Sequence, residues 1–237
     1  ARFVLEQLKV LTQKQGLSDA DLSFSPVGLG EPLLHPNFFD IIGYARELFP
    51  KAHIHGNSNC IALNSHISEN LVDCALDNII FSLAFNDAES YKTWCGVDKC
   101  ETVKTNIRNF LARKGDKKPN VTIEIFDKNL SPKSFASFIK EWTPCLNRND
   151  SLHVRKSLAL TDWRPSKTKI YPCNQLWSVL SVDIDGYIFP CCLGLWRQKD
   201  EQLCLGHISD NPNNLLQKLA ETRKAQQTGK YFNICQY

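Results

Sequence analysis

The chain has 237 residues, 43% of them hydrophobic, enough for one large domain or one domain with a small appendage. A net charge of +3 without any Lys/Arg run gives no sign of a nucleic-acid partner. No apolar run approaches the roughly 18 residues of a bilayer span, so no membrane partner is expected. In chain order, Val4, Leu5, Leu8 and Leu11 form a helical stripe stopped by Gly16, which reads as a helix and not as a secretory signal. Leu22–Val27 reads as a strand. Pro36 opens a helix through Phe38, Ile42 and Leu48, closed by Pro50. A short strand, Ala52–His55, ends at Gly56-Asn57, and a helix follows from Ile67 to Ala75. Asn78–Ala84 is an apolar strand, Thr102–Ala112 a helix, and Val121–Phe126 a strand. Ser131-Pro-Lys opens a helix that runs to Trp142, and Leu152–Val154 is a weaker strand.

Strands alternating with helices predict βα units and a parallel sheet. The fold expected is α/β: a partial (β/α)6 TIM-like barrel over residues 1–165. Because the series opens on a helix, a first strand is expected to precede Ala1. The chain has no Met, begins at Ala1 and stops at Cys235-Gln-Tyr237, which reads as an internal piece of a longer protein. Past Trp163 the character changes. Val182 and Ile184 lead into Asp185-Gly186, a hairpin signal, and Tyr187, Ile188 and Phe189 return. Leu215–Ala225 is a last helix. Residues 166–237 are therefore expected to form a small cysteine-rich β-hairpin/helix appendage, truncated at its C-terminus.

Ten cysteines fall into two groups. Cys60, Cys74, Cys95, Cys100 and Cys145 are scattered. Cys173, Cys191, Cys192, Cys204 and Cys235 lie in the last third. Secreted disulfide domains are usually shorter, so cytosolic thiols, several of them metal-bound, fit better, and the expected location is cytoplasmic.

The residues that carry chemistry stand at strand ends, where parallel α/β folds bind ligands. Gly28 and Gly30 let backbone approach a ligand, and Glu31 can grip an ammonium group. Asn57 follows the next strand, where it also suits a plain turn. Ser82 is a hydroxyl inside an apolar strand and needs a partner. Arg155 and Lys156 follow the weak strand, where a cation can pair with a carboxylate or simply be solvated. The hairpin folds Cys173 back toward Cys191, and thiolates so held bind zinc or an iron–sulfur cluster.

Gly28-Leu-Gly-Glu-Pro-Leu-Leu-His-Pro36 resembles the Gly-Gly-Glu-Pro segment of radical S-adenosylmethionine enzymes. His55-Gly-Asn-Ser58 is similar to the polar segment those enzymes carry after the next strand, and Ser82 to their ribose-contacting serine. The resemblance implies that Gly28, Gly30, Glu31, Asn57, Ser82 and Arg155 bind S-adenosylmethionine. Twelve residues separate Cys173 from Gly186 and four separate Gly186 from Cys191. That spacing resembles the Cys-x(9–15)-Gly-x4-Cys unit of the SPASM or twitch appendage, and Leu205-Gly-His-Ile208 echoes its Leu-Gly-Asn-Ile element. The resemblance implies an auxiliary 4Fe-4S cluster held by Cys173, Cys191 and Cys235, with Cys192 or Cys204 as further candidates.

The family's Cys-x3-Cys-x2-Cys, which binds the catalytic cluster, is not in this sequence and is expected upstream of Ala1. The implied activity is reductive cleavage of S-adenosylmethionine to a 5′-deoxyadenosyl radical, which abstracts hydrogen from a substrate. A peptide substrate is the first choice and a sugar or cyclitol, dehydrogenated or epimerised, the second. The implied electron donor is a flavodoxin or ferredoxin. The reading from another class is a non-catalytic metal-binding scaffold.

Overall fold

A computed structural model describes residues 1–28, 30–126, 131–155, 172–192, 194, 202–230 and 232. The chain divides into two compact units: one of residues 19–159, the other of 1–18 with 160–237.

The first unit is built on five parallel strands, β1 (Ser23–Phe24), β2 (His53–Ser58), β3 (Asn78–Ala84), β4 (Asn120–Phe126) and β5 (Ser151–Arg155), side by side in chain order. Helices α2 (Phe38–Leu48), α3 (Ser65–Asp73), α4 (Ala88–Cys95), α5 (Cys100–Lys114) and α6 (Pro132–Trp142) connect them. This is the partial α/β barrel the alternation predicts. Two expected strand ends move. The first strand is only two residues long, because Pro26 has no N–H to continue the ladder. The second runs on to Ser58, so Asn57 lies within a strand and not in a turn beyond it. Helix α4 was not expected, although its caps are in the sequence: Asp87 Oδ1 accepts the Ser90 amide at 2.8 Å, and Gly96 closes it with φ +72°.

Alternation along β3 sorts its side chains. Ile79, Phe81 and Leu83 are buried on the helix side, where Phe81 meets Phe110 of α5 edge-on at 5.3 Å. Asn78, Ile80 and Ser82 point to the opposite, open face. Parallel register places Asn57 beside Ile80, Ser82 beside Glu124, Glu124 beside His153, and Phe126 beside Arg155. The open face therefore carries a polar residue on each of four strands, with the apolar Ile80 and Phe126 among them.

At the amino ends of the strands, Asp77 accepts from Arg46 at 2.6 Å, from the Ile54 amide at 2.9 Å and from Lys118 at 2.5 Å. Burial alone would raise its pKa. The Lys118, Ile54 and Arg46 donors outweigh burial and hold the carboxyl at about 2, against an ordinary 3.8. A depressed carboxylate stabilises the fold above the ordinary pKa and loses that contribution as pH falls toward its folded pKa. We expect the melting temperature to fall between about pH 4 and pH 2, and Asp77→Asn to flatten that part of the profile. An unchanged profile in calorimetric scans would remove Asp77 from the clamp.

The second unit contains α1 (Arg2–Lys14), a short turn α7 (Gln175–Ser178), the antiparallel strands β6 (Ser181–Val182), β7 (Tyr187–Phe189) and β8 (Gly206–His207), and α8 (Pro212–Gln227). The expected boundary between residues 165 and 166 falls outside the described residues. Helix α1, assigned to the barrel on sequence, packs instead in this unit. Leu11 joins Ile188, Leu205, Ile208, Leu215 and Leu219 in one core, with Val4 and Leu8 against it. A stripe of four apolar residues shows that a helix needs a partner but not which one. The hairpin forms at Asp185-Gly186 as expected. Gly186 has φ +91°, and a Cβ there would lie 2.5 Å from His207 Nε2, which donates to Asp185 O at 2.9 Å.

Candidate functional site

The turn after β1 brings Gly28, Gly30 and Glu31 to the carboxyl end of the sheet. Gly30 adopts φ +113°, which disfavours a side chain although the space around it is open. A cavity of about 190 Å³ is lined by Gly28, Gly30, Glu31, His35 and Phe38, among others. Glu31 caps the 3-10 turn Pro32–Leu34, where its Oε1 accepts the Leu33 amide at 3.1 Å. The same oxygen accepts Ser58 Oγ at 2.8 Å, and Oε2 accepts the Asn59 amide at 2.8 Å. Glu31 thus ties the β1 loop to the end of β2. A carboxylate has about four acceptor positions, so one on Oε2 remains for a ligand cation.

Just past β2, Cys60 has φ +62°, and at the end of β3 Ala84 has φ +66°. These are the two non-glycine residues in the left-handed region among those described. Such conformations persist only where surroundings enforce them. At Cys60 the enforcement comes from Ser58 Oγ, which accepts the Cys60 amide, and from Asn106, which donates to Cys60 O at 2.9 Å. Desolvation, and then the nearby Glu31 charge, push the Cys60 thiol well above its ordinary pKa, against a hydrogen bond to Ser58. The Cys60 side chain is fully buried and packs in the core.

The other expected residues spread across the open face. Asn57 is exposed on β2 and Ser82 is half-buried on β3. Arg155 does not stand alone at a strand end. Its Nη2 and Nε donate to Glu124 Oε2 at 3.1 and 3.3 Å, and Lys156 lies outside the described residues. The Glu124 side chain is 3% exposed and also holds His153 Nδ1 at 2.8 Å. Neither Glu124 nor His153 stood out on sequence. The available signal was an acid at a position inside the apolar run Val-Thr-Ile-Glu-Ile-Phe, where a charge needs partners.

In the C-terminal unit, Cys191 is buried, Cys173 and Cys204 are half-buried and Cys192 is exposed. The Cys173 amide donates to Gln226 Oε1 of α8 at 3.2 Å. Cys204 packs with Phe232 against Phe189 and Leu203. Cys235 lies outside the described residues. Among the described residues no three His, Cys, Asp or Glu side chains are grouped to hold a metal ion, and no helix is long and apolar enough to cross a membrane.

Comparison with known proteins adds two findings. Residues 173–236 match the model of SPASM, an iron–sulfur cluster-binding domain. The fold is that of two sets of solved structures, BtrN and SuiB. BtrN in complex with AdoMet and 2-DOIA is 17% identical, with a TM-score of 0.57 over 99% of this chain and 76% of BtrN. Streptococcus suis SuiB bound to S-adenosylmethionine is 13% identical, with a TM-score of 0.62 over 89% of this chain and 56% of SuiB. SuiB bound to precursor peptide SuiA is 12% identical, with a TM-score of 0.60 over 98% of this chain and 60% of SuiB. No curated protein sequence matches. The chain is thus similar to radical S-adenosylmethionine enzymes in fold, and its C-terminal part is similar to their SPASM domains. In particular it has the partial α/β barrel shared by BtrN and SuiB.

Proposed function

We propose that this chain belongs to a radical S-adenosylmethionine enzyme that modifies a peptide. The carrying observation is Glu31: a carboxylate on a glycine turn at a strand's carboxyl end, fixed by Ser58 and Asn59, with one acceptor position left over. That arrangement fits an ammonium group, since the carboxylate is already oriented when the ligand arrives. Gly28 and Gly30 leave the approach open, and Asn57 and Ser82 supply polar groups farther along the face. S-adenosylmethionine, when bound to a reduced cluster, supplies the radical that takes hydrogen from the substrate. The chain's own residues bind, orient and exclude water.

The thiol-rich donor set of the C-terminal unit, Cys173, Cys191, Cys192 and Cys235, fits an auxiliary iron–sulfur cluster in its chemistry. Peptide as the substrate class is supported by the likeness to a SuiB structure that holds a precursor peptide. A flavodoxin- or ferredoxin-like electron donor and a cytoplasmic setting belong to the same reading.

Anaerobic reconstitution of the protein with iron and sulfide tests it. We expect iron and inorganic sulfide to be retained, and Cys191→Ala to lower both while Cys74→Ala does not. A colourless protein that takes up zinc and no sulfide, or a Cys191→Ala variant with unchanged iron, would overturn the cluster assignment.

A further inference from the structure

The cluster formed by Glu124, His153 and Arg155 has no role in holding the ammonium at Glu31, yet it is built at a price in solvation. Glu124 is 97% withdrawn from solvent as a side chain, whereas His153 and Arg155 are half exposed, at 56% and 50%. A buried carboxylate is tolerated only when paired, and both partners come from β5, the next strand. The adjoining pair on the same two strands, Thr122 Oγ and Ser151 Oγ at 2.9 Å, shows that an uncharged contact can join them. The arrangement hides the acid and turns a guanidinium and an imidazole outward, the imidazole Nε2 donating only when the ring is protonated.

Arg155 is fixed on two sides. Glu124 takes its Nε and one Nη2 donor, and the Phe126 ring lies 5.5 Å from its guanidinium carbon. A guanidinium has five N–H donors, so three remain, in a planar fork that matches a carboxylate. His153 stands beside it, held at Nδ1 by the same Glu124 oxygen. We propose that Arg155 and His153, positioned by Glu124, receive a carboxylate of the substrate, such as an acidic side chain of a peptide.

S-adenosylmethionine also carries a carboxylate, but that group shares a carbon with the ammonium. Glu31 is bonded at the end of β2, three strands from β5. Parallel neighbours lie about 4.8 Å apart, so β2 and β5 are separated by roughly 14 Å measured along the curved sheet, whereas the two charged groups share one carbon. If Glu31 holds the ammonium, the carboxylate at Arg155 belongs to another molecule. To that extent the assignment rests on the proposed function.

The test uses the full chain with isotope-labelled histidine, followed by NMR. The probes are N-acetylglutamate and its isostere N-acetylglutamine, each with the α-carboxyl blocked as the methylamide so that only the first carries a carboxylate, and S-adenosylmethionine. We expect N-acetylglutamate to shift the His153 ring signals saturably and N-acetylglutamine to bind at least about tenfold more weakly. Arg155→Gln should lose about tenfold or more for N-acetylglutamate, and Arg155→Lys should keep part of the affinity. Glu124→Gln, close in shape, should move the His153 signals before any probe is added. Equal binding of the two isosteres, no shift at His153, or wild-type affinity in Arg155→Gln would overturn the carboxylate site. If S-adenosylmethionine itself shifts His153 and Arg155→Gln abolishes its binding, the carboxylate is the cofactor's and the substrate assignment fails. Loss of S-adenosylmethionine binding at Glu31 is read separately, so failure of the wider proposal leaves the N-acetylglutamate result standing.

Discussion

Glu31→Gln should weaken S-adenosylmethionine binding by at least about tenfold and lower the thermal stability of the first unit at the same time. The first effect follows from replacing a charge-assisted contact to an ammonium, worth roughly 1.5–3 kcal/mol, with a neutral one. The second follows from the donors already arranged around the carboxylate. Oε1 accepts Leu33 N and Ser58 Oγ, and Oε2 accepts Asn59 N. A glutamine in either amide orientation turns its NH2 toward a backbone N–H that can only donate. The unmade bond costs about 1–3 kcal/mol if that donor is shielded from water. On sequence alone Glu31 reads as a ligand residue. The structure adds that the same carboxylate joins two loops. Calorimetry of binding and of unfolding on one sample separates the effects, and a variant that keeps wild-type affinity removes Glu31 from the site.

Asp150→Ala should produce the largest loss of stability. The Lys114 and Asp150 side chains are 1% and 0% exposed and meet at 2.9 Å. Asp150 also accepts the Val121 amide at 2.8 Å and the Asn147 amide at 2.9 Å. Removing the carboxylate strands a buried ammonium, for which about 3–5 kcal/mol is expected. Lys114 retains the carbonyls of Gly115 and Lys117, which places the loss toward the lower end. The midpoint of urea unfolding measures it. The double variant Lys114→Met, Asp150→Leu should recover only the part owed to the stranded charge, since the Val121 and Asn147 amides stay without their acceptor. A single variant with an unchanged midpoint would show the pair to be dispensable. The consequence reaches the open face, because Asp150 precedes β5 and fixes the strand that presents His153 and Arg155.

The elements most legible in the sequence are those written in local chemistry. Strand β3 appears as expected from Asn78 to Ala84, because its apolar run is bounded by polar residues. Helix α6 is announced by Ser131-Pro, and Ser131 Oγ does accept the Ser134 amide at 3.0 Å. The hairpin at Asp185-Gly186 forms because only glycine suits the turn that His207 packs beneath. Helix α4 was equally legible through Asp87 and Gly96 but lacks a strong apolar stripe, and Tyr91 is its one buried residue. The first strand was overread, since hydrophobicity persists from Leu22 to Val27 while Pro26 ends the ladder.

What the sequence determined by itself is the order of strands and helices, the glycine turn that carries Glu31, and the thiol-rich tail. Each depends on residues a few positions apart. What only the tertiary structure decided are contacts between residues about thirty or more positions apart. Asn59 reaches Glu31 across 28 positions and His153 reaches Glu124 across 29. Helix α1 finds its core with Ile188 and Leu215. Such contacts depend on which strands pair and in what register, and register is set by packing among whole elements. A lone acid in a strand therefore shows only that a partner is needed. The neighbouring strand supplies His153 and Arg155, and with them an outward-facing site.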